Sequence, residues 1–261
     1  MRYGICCGLE NISKLEKYGY DYIEPMAVSI AAMDEKDYRK TLYNVNNSSI
    51  KCEAFNVLFP GTAKIIGNDA DHLGASEYIK ALFPKLKALG GEIVVFGSGG
   101  VRRIPEDFNI EQAYTQLCEI SLTLGEAAYN NGLTVVIEPL CKSETNLINT
   151  LSEGAAVVKD VNHPNFALLT DWYHNKAENE TGADIKTFGK YLRHAHIAMP
   201  GERKNPSEND GGEYEDFFNA LSDTGYDARL SCEGHNFEDF DSYARDMLEY
   251  LKSIYKNKQT K

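Results

Sequence analysis

The sequence predicts an α/β fold, a single (β/α)8 (TIM) barrel over residues 1–261. Three observations predict it. Short apolar, β-branched runs bounded by turn residues alternate with longer amphipathic segments, the pattern of parallel strands joined by crossover helices. Eight such pairs can be counted, and 261 residues suit one closed barrel. Four successive runs in the second half also deliver a polar side chain at the same end: Glu138, Asp171, His196 and Glu233. No composition shift, low-complexity tract or Pro/Ser-rich linker marks a second domain.

In chain order, Tyr3 to Cys7 reads as strand one, and Glu10 to Tyr18 follows with Leu and Ile at helical spacing. Gly19 to Pro25 turns into strand two, with Glu24 at its exit. Met33 to Asn47 is a charged amphipathic helix. Lys51 to Phe59 is strand three, ended by Pro60-Gly61. The next helix, Asp71 to Leu89, places Leu73, Ile79, Leu82 and Leu86 on one face, and Gly90-Gly91 closes it. Ile93 to Gly97 is strand four. The glycine-rich Gly97-Ser98-Gly99-Gly100 after it reads as a turn with positive φ.

Ile110 to Ala128 is a long helix, with Ala113, Tyr114, Leu117, Leu124 and Ala128 at spacings of three and four. Asn131-Gly132 turns into strand five, Thr134 to Leu140, which ends in the carboxylate of Glu138. Thr150 to Val161 is a helix, and Phe166 to Asp171 is strand six. Asp184 to Leu192 is a short helix, and Arg193 to Ala198 is strand seven, carrying His194 and His196. Glu213 to Leu221 is a helix, and Ala228 to Glu233 is strand eight. A helix from Phe237 to Tyr255 closes the chain, and Lys256 to Lys261 is expected to fray.

The net charge of -12 argues against nucleic acid, whose phosphates demand clustered Lys and Arg. Acidity by itself identifies no substrate; it keeps a surface solvated. The six cysteines form no CxxC pair and several sit in apolar runs, so reduced thiols and a cytoplasmic protein are expected. No apolar stretch approaches the ~18 residues that span a bilayer, and the first residues read as a strand without signal-peptide grammar.

Active sites of this architecture lie at the C-terminal strand ends. Three carboxylates and an imidazole brought together there would repel without compensation, and a divalent cation resolves the repulsion. An oxygen-rich set with one nitrogen suits Mn²⁺ first, with Mg²⁺, Co²⁺ and Zn²⁺ as alternatives. Each residue alone is an ordinary strand-end polar group; their recurrence on four consecutive strands carries the reading. Glu144, His174 and Arg203 lie on the following loops and can face a polar ligand. Trp172, Tyr173 and Phe96 are either sugar-stacking faces or barrel packing.

The run Ile137-Glu-Pro-Leu-Cys-Lys-Ser-Glu-Thr-Asn146, with Thr170-Asp-Trp-Tyr-His174, His194-Ala-His196 and Cys232-Glu233, resembles the xylose-isomerase-like sugar isomerases and epimerases. Within them it looks most like the ketose 3-epimerases of the D-tagatose and D-psicose type. The resemblance runs along nearly the whole chain as topology, and its specific motifs occupy the second half. It implies that Glu138, Asp171, His196 and Glu233 hold the metal, and that Glu138 and Glu233 are the acid–base pair. It implies that Glu144, His174 and Arg203 bind substrate. Arg203 departs from the pattern, lying seven residues after His196 where the family commonly has six. Homodimers or homotetramers are a further implication.

The chemistry that follows is inversion at C3 of a ketose through an ene-diolate, one glutamate removing a proton and the other returning it. Return to the adjacent carbon would be aldose–ketose isomerisation, as in a hydroxypyruvate-isomerase-like enzyme. That group tends to carry Gln where this chain has His196. An inosose dehydratase would use the same metal and base to expel a hydroxyl. A DNA-repair endonuclease of the multi-zinc type needs a basic face and more histidines. A sugar-binding barrel without catalysis would lack a ligand or an acid–base residue, and none is missing. A phosphorylated substrate would find a seat only at Gly97–Gly100 with Arg102 and Arg103, so a free sugar is the expectation.

Overall fold

The computed structural model describes residues 1–208, 210–235 and 239–259. Strand β1 (Arg2–Ile5) leads to helices α1 (Ile12–Tyr18), α2 (Ala27–Ala31) and α3 (Glu35–Asn46). Then come β2 (Ala54–Phe55), α4 (His72–Ala88), β3 (Ile93–Phe96), the short α5 (Gly99–Arg102) and α6 (Ile110–Asn131). Next are β4 (Thr134–Ile137), α7 (Leu151–Val161), β5 (Phe166–Asp171), α8 (Trp172–Ala177) and α9 (Gly182–Phe188). The chain continues with β6 (Leu192–Ile197), α10 (Tyr214–Asp223), β7 (Arg229–Cys232) and α11 (Phe240–Gln259).

The strands form one parallel sheet in the order β1-β7-β6-β5-β4-β3-β2. Among the described residues, seven strands therefore stand where eight were expected. The segment expected as strand two makes isolated bridges instead: Glu24 with Cys6 on one side, Tyr22 with Lys51 and Met26 with Asn56 on the other. Those bridges join β1 to the residues flanking β2. Pro25 has no N–H to give, which interrupts the pairing on the β2 side, where Ile23 N and Ala27 N donate to Lys51 O and Asn56 O.

Alternation sorts the strand residues into two cores. Tyr22, Ala54, Ile93, Val95, Val136, Ala167 and Leu169 fill the space within the sheet. Their neighbours, such as Val94, Phe96, Val135, Ile137 and Leu168, pack outward under the helices. Two residues beyond the inner set on each strand lie Glu24, Asn56, Gly97, Glu138 and Asp171, and His196 and Glu233 follow the same period on β6 and after β7. A register shift between Leu168 and Leu169 leaves Arg193 unpaired on β6 and sets Asp171 level with His196.

Helix ends follow local chemistry. Thr150 and Glu153 form a capping box at α7, Asn109 caps α6, and Gly132 closes it with φ 62°. Leu73 departs from expectation and is 82% exposed. It lies about 120° round the helix from Ile79 at 100° per residue, and Ala75 and Phe83 complete the buried face instead. The final helix was expected from Phe237; residues 237 and 238 lie outside the described part, and helix begins at Phe240. Helix also runs through Gln259, into the tail expected to fray, and Thr260 and Lys261 lie outside the described part. Among the described residues no helix is long and apolar enough to cross a membrane. All six cysteines are free thiols.

Candidate metal centre

The period-two placement brings Glu138, Asp171, His196 and Glu233 together, with one donor atom from each within 4.8 Å of the others. His196 stands between the two glutamates. Its Nδ1 lies 3.1 Å from Glu138 Oε1 and 3.4 Å from Glu233 Oε2. All four side chains are buried. Burial and the neighbouring Glu233 raise the Glu138 carboxyl above its ordinary range. Burial also opposes charge on Glu233, but His196 and Arg203 more than offset it and hold that group well below the carboxylate range.

This donor set fits a divalent cation. Three anionic groups and one imidazole converge, and Asp171 Oδ2 is buried without a hydrogen-bond partner among the described residues. Its other oxygen, Oδ1, accepts from Tyr173 N at 2.8 Å and caps α8, which fixes where Oδ2 points.

The loop residues reach the same place. Arg203 donates from Nη1 to Glu144 Oε1 at 2.6 Å and from Nη2 to Glu233 Oε2 at 2.7 Å. The extra residue before it is absorbed by a turn with Gly201 at φ 82° and Arg203 itself at φ 50°. His174 is 1% exposed; Nδ1 accepts from Cys141 N at 3.1 Å, which leaves the proton on Nε2. Nε2 lies 3.9 Å from Asp171 Oδ2. Tyr173 stacks under the Arg203 guanidinium at 5.0 Å. Trp172 is fully buried against Phe217 and donates to Gly212 O, so it and Phe96 are packing.

Several neighbours of the cluster escaped the sequence reading. Glu24, fully buried, lies 2.9 Å from both His194 Nε2 and His196 Nε2. Burial opposes its charge, but the two imidazoles more than offset that and hold it ionised. Asn56 donates to Glu233 Oε1 at 3.0 Å. A signal for Glu24 was available, since Ile23-Glu24-Pro25 repeats Ile137-Glu138-Pro139. The glycine-rich stretch also differs from expectation: none of Gly97, Gly99 and Gly100 has positive φ. Gly97 instead admits Glu138, and Arg102 is fully buried, donating to Glu138 O at 2.8 Å. Arg103 donates to Ser143 O, and Arg102 Nε and Nη1 are buried without a hydrogen-bond partner among the described residues.

A cavity of about 380 Å³ opens beside Glu233 and Asn56, walled by Cys7, Leu9, Met26 and Val57.

A family model described as xylose isomerase-like TIM barrel matches residues 12–254. The chain is 26% identical over 207 residues to D-psicose 3-epimerase of Agrobacterium fabrum, a match covering 75% of this chain and 70% of that one. It is 26% identical over 269 residues to L-ribulose 3-epimerase of Methylomonas sp., covering 94% and 90%. The solved structure of D-allulose 3-epimerase from Methylomonas sp. in complex with D-allulose superposes with a TM-score of 0.85. That likeness, at 21% identity, covers 98% of this chain and 97% of that one and is one of fold.

Proposed function

This chain belongs to the xylose isomerase-like TIM barrel family, and on that premise we propose that it is a metal-dependent epimerase inverting C3 of a free ketose. It is an enzyme of the isomerase class, like the relatives named as epimerases. The observation that carries the finer reading is the pair Glu138 and Glu233, both within 3.4 Å of His196 Nδ1.

Glu138, Asp171, His196 and Glu233 would hold one divalent ion, Mn²⁺ by the balance of oxygen over nitrogen donors. When bound, such an ion supplies Lewis acidity for the charge that develops on a carbonyl oxygen. One glutamate removes the C3 proton, and the other returns a proton to the opposite face. Environments that push the two carboxyls apart suit that division of labour. Glu144, His174 and Arg203 bind the sugar, with His174 Nε2–H free to donate to a hydroxyl. The relatives named D-psicose 3-epimerase and L-ribulose 3-epimerase support an unphosphorylated substrate.

The test is Mn²⁺-loaded protein in D₂O with a panel of ketoses, ketose phosphates and inososes, followed by NMR. Deuterium at C3 with a new epimer, absent in Glu233→Gln, is the expected outcome. Label at C1 or C2 with an aldose would make the enzyme an aldose–ketose isomerase. Water loss from an inosose would make it a dehydratase, and no exchange with any compound would favour a binding role.

A further inference from the structure

We propose that Glu24 is a positioning residue for the metal centre: it accepts the Nε2 proton of His196 and so commits Nδ1 of that ring to the ion. The inference rests on the reading above that His196 is a ligand.

An imidazole that binds a metal keeps its proton on the other nitrogen, and the partner of that nitrogen selects the tautomer. In His196 the two nitrogens face different worlds. Nδ1 faces Glu138 and Glu233, and Nε2 lies 2.9 Å from Glu24 Oε1. Ser231 Oγ donates to the other oxygen of Glu24, and Oε1 is left facing His196 Nε2 at 2.9 Å, so a proton on Nε2 has Oε1 as its acceptor and Nδ1 is left to the cluster.

Glu24 can serve this purpose because it is itself immobilised. Its other oxygen, Oε2, accepts from Ser231 Oγ and lies 2.9 Å from His194 Nε2. Tyr22 OH backs Ser231 Oγ at 2.7 Å. Every one of these groups is fully buried, so no water competes for the carboxylate. The arrangement also explains the His-x-His spacing on β6. His194 and His196 point to the same face, and one carboxylate binds both; His196 reaches the cluster, and His194 steadies the anion.

A rival arrangement is present: Cys6, Glu24 and His196 also bring donors within 4.8 Å. An ion there would take Nε2 of His196 and use Glu24 as a ligand. The two arrangements predict opposite tautomers.

Long-range ¹H–¹⁵N correlation on the wild-type protein loaded with Zn²⁺, a diamagnetic probe, reads the tautomer without any variant. Nε2–H with metal-shifted Nδ1 is expected; metal-shifted Nε2 overturns the proposal. Mn²⁺ affinity, followed by the EPR signal of the free ion, then reads the contribution of Glu24. Glu24→Gln should weaken it by about 10–100-fold while metal-free circular dichroism stays native. A Glu24→Gln protein with wild-type Mn²⁺ affinity and an unchanged tautomer would refute the positioning role alone. A wild-type protein that binds neither Mn²⁺ nor Zn²⁺ would bring down the metal-site reading and this inference with it.

Discussion

Gly97 and Glu138 are fitted to each other: a β-carbon on residue 97 would lie 1.9 Å from Glu138 Oε2. Residue 97 holds the position on its strand at which the neighbouring strands present polar side chains, and it presents none. Gly97→Ala therefore has to push the Glu138 carboxylate aside, because the backbone at 97 needs no glycine for its φ. A displacement of about 1 Å at a reacting group costs on the order of 100-fold in rate. We expect kcat/KM to fall by about that much, with the variant still folded. Steady-state kinetics beside a melting curve check it; wild-type kcat/KM would show that the carboxylate has room to spare.

Asp171→Asn separates the two jobs of one side chain. The amide oxygen can still accept from Tyr173 N and cap α8, but the anionic Oδ2 is gone. Metal-free stability should stay within about 1 kcal/mol of wild type. Ion binding to the native state alone adds about 2.7 kcal/mol at 100 times Kd, or roughly 5–10 °C in a chain of this size. The wild-type protein should show that rise with Mn²⁺ and lose it with EDTA, and the variant should show little of it. Equal rises in calorimetry would remove Asp171 from the ligand set.

What could be read from the sequence divides along physical lines. The four strand-end groups were legible because a carboxylate cannot follow Val135-Val136-Ile137 into a dry core, so it marks the mouth. Glu24 stands at the same strand-end position in Ile23-Glu24-Pro25, but its part in the cluster was not legible, because the groups that hold it, His194, His196 and Ser231, lie 170 to 207 residues away in sequence. The segment expected as strand two is reduced to isolated bridges, and periodicity does not register the missing N–H of Pro25 that interrupts its pairing on the β2 side. Gly97 was assigned to a turn because glycine has two uses, positive φ and close approach, and only packing tells them apart. Arg203 reaches Glu144 and Glu233 despite its spacing, since a turn with two positive-φ residues makes up the difference.

Arg203→Lys should not be conservative. The guanidinium forks between Glu144 and Glu233, 2.6 and 2.7 Å away, and lies 5.0 Å over the Tyr173 ring. An ammonium keeps the charge but cannot make the fork and the stack together. Two lost charge-assisted contacts correspond to about 1.5–3 kcal/mol each in principle, discounted here for the partly exposed Glu144. We expect KM for the sugar to rise by about 10-fold and kcat to fall as well, because Glu233 loses a neighbour that keeps it ionised. A kinetic comparison of Arg203→Lys with Arg203→Ala is the measurement. Lysine restoring wild-type KM and kcat would mean that charge alone matters at this position.

The chain of hydroxyls beneath the centre makes a prediction about stability rather than rate. Tyr22 OH lies 2.7 Å from Ser231 Oγ, which in turn donates to Glu24 Oε2. Tyr22→Phe removes the outer member and leaves the contact to Glu24 intact, so it should cost about 1 kcal/mol. Ser231→Ala removes the middle member, strands the buried phenol of Tyr22 and takes one of two partners from Glu24 Oε2, which keeps His194 Nε2. Its cost should be larger, about 2–4 kcal/mol. Urea unfolding of the metal-free proteins gives both values on one scale. The order is the informative quantity: a serine variant as stable as the phenylalanine variant would mean that the two histidines alone satisfy Glu24, and that the hydroxyl chain only fills space.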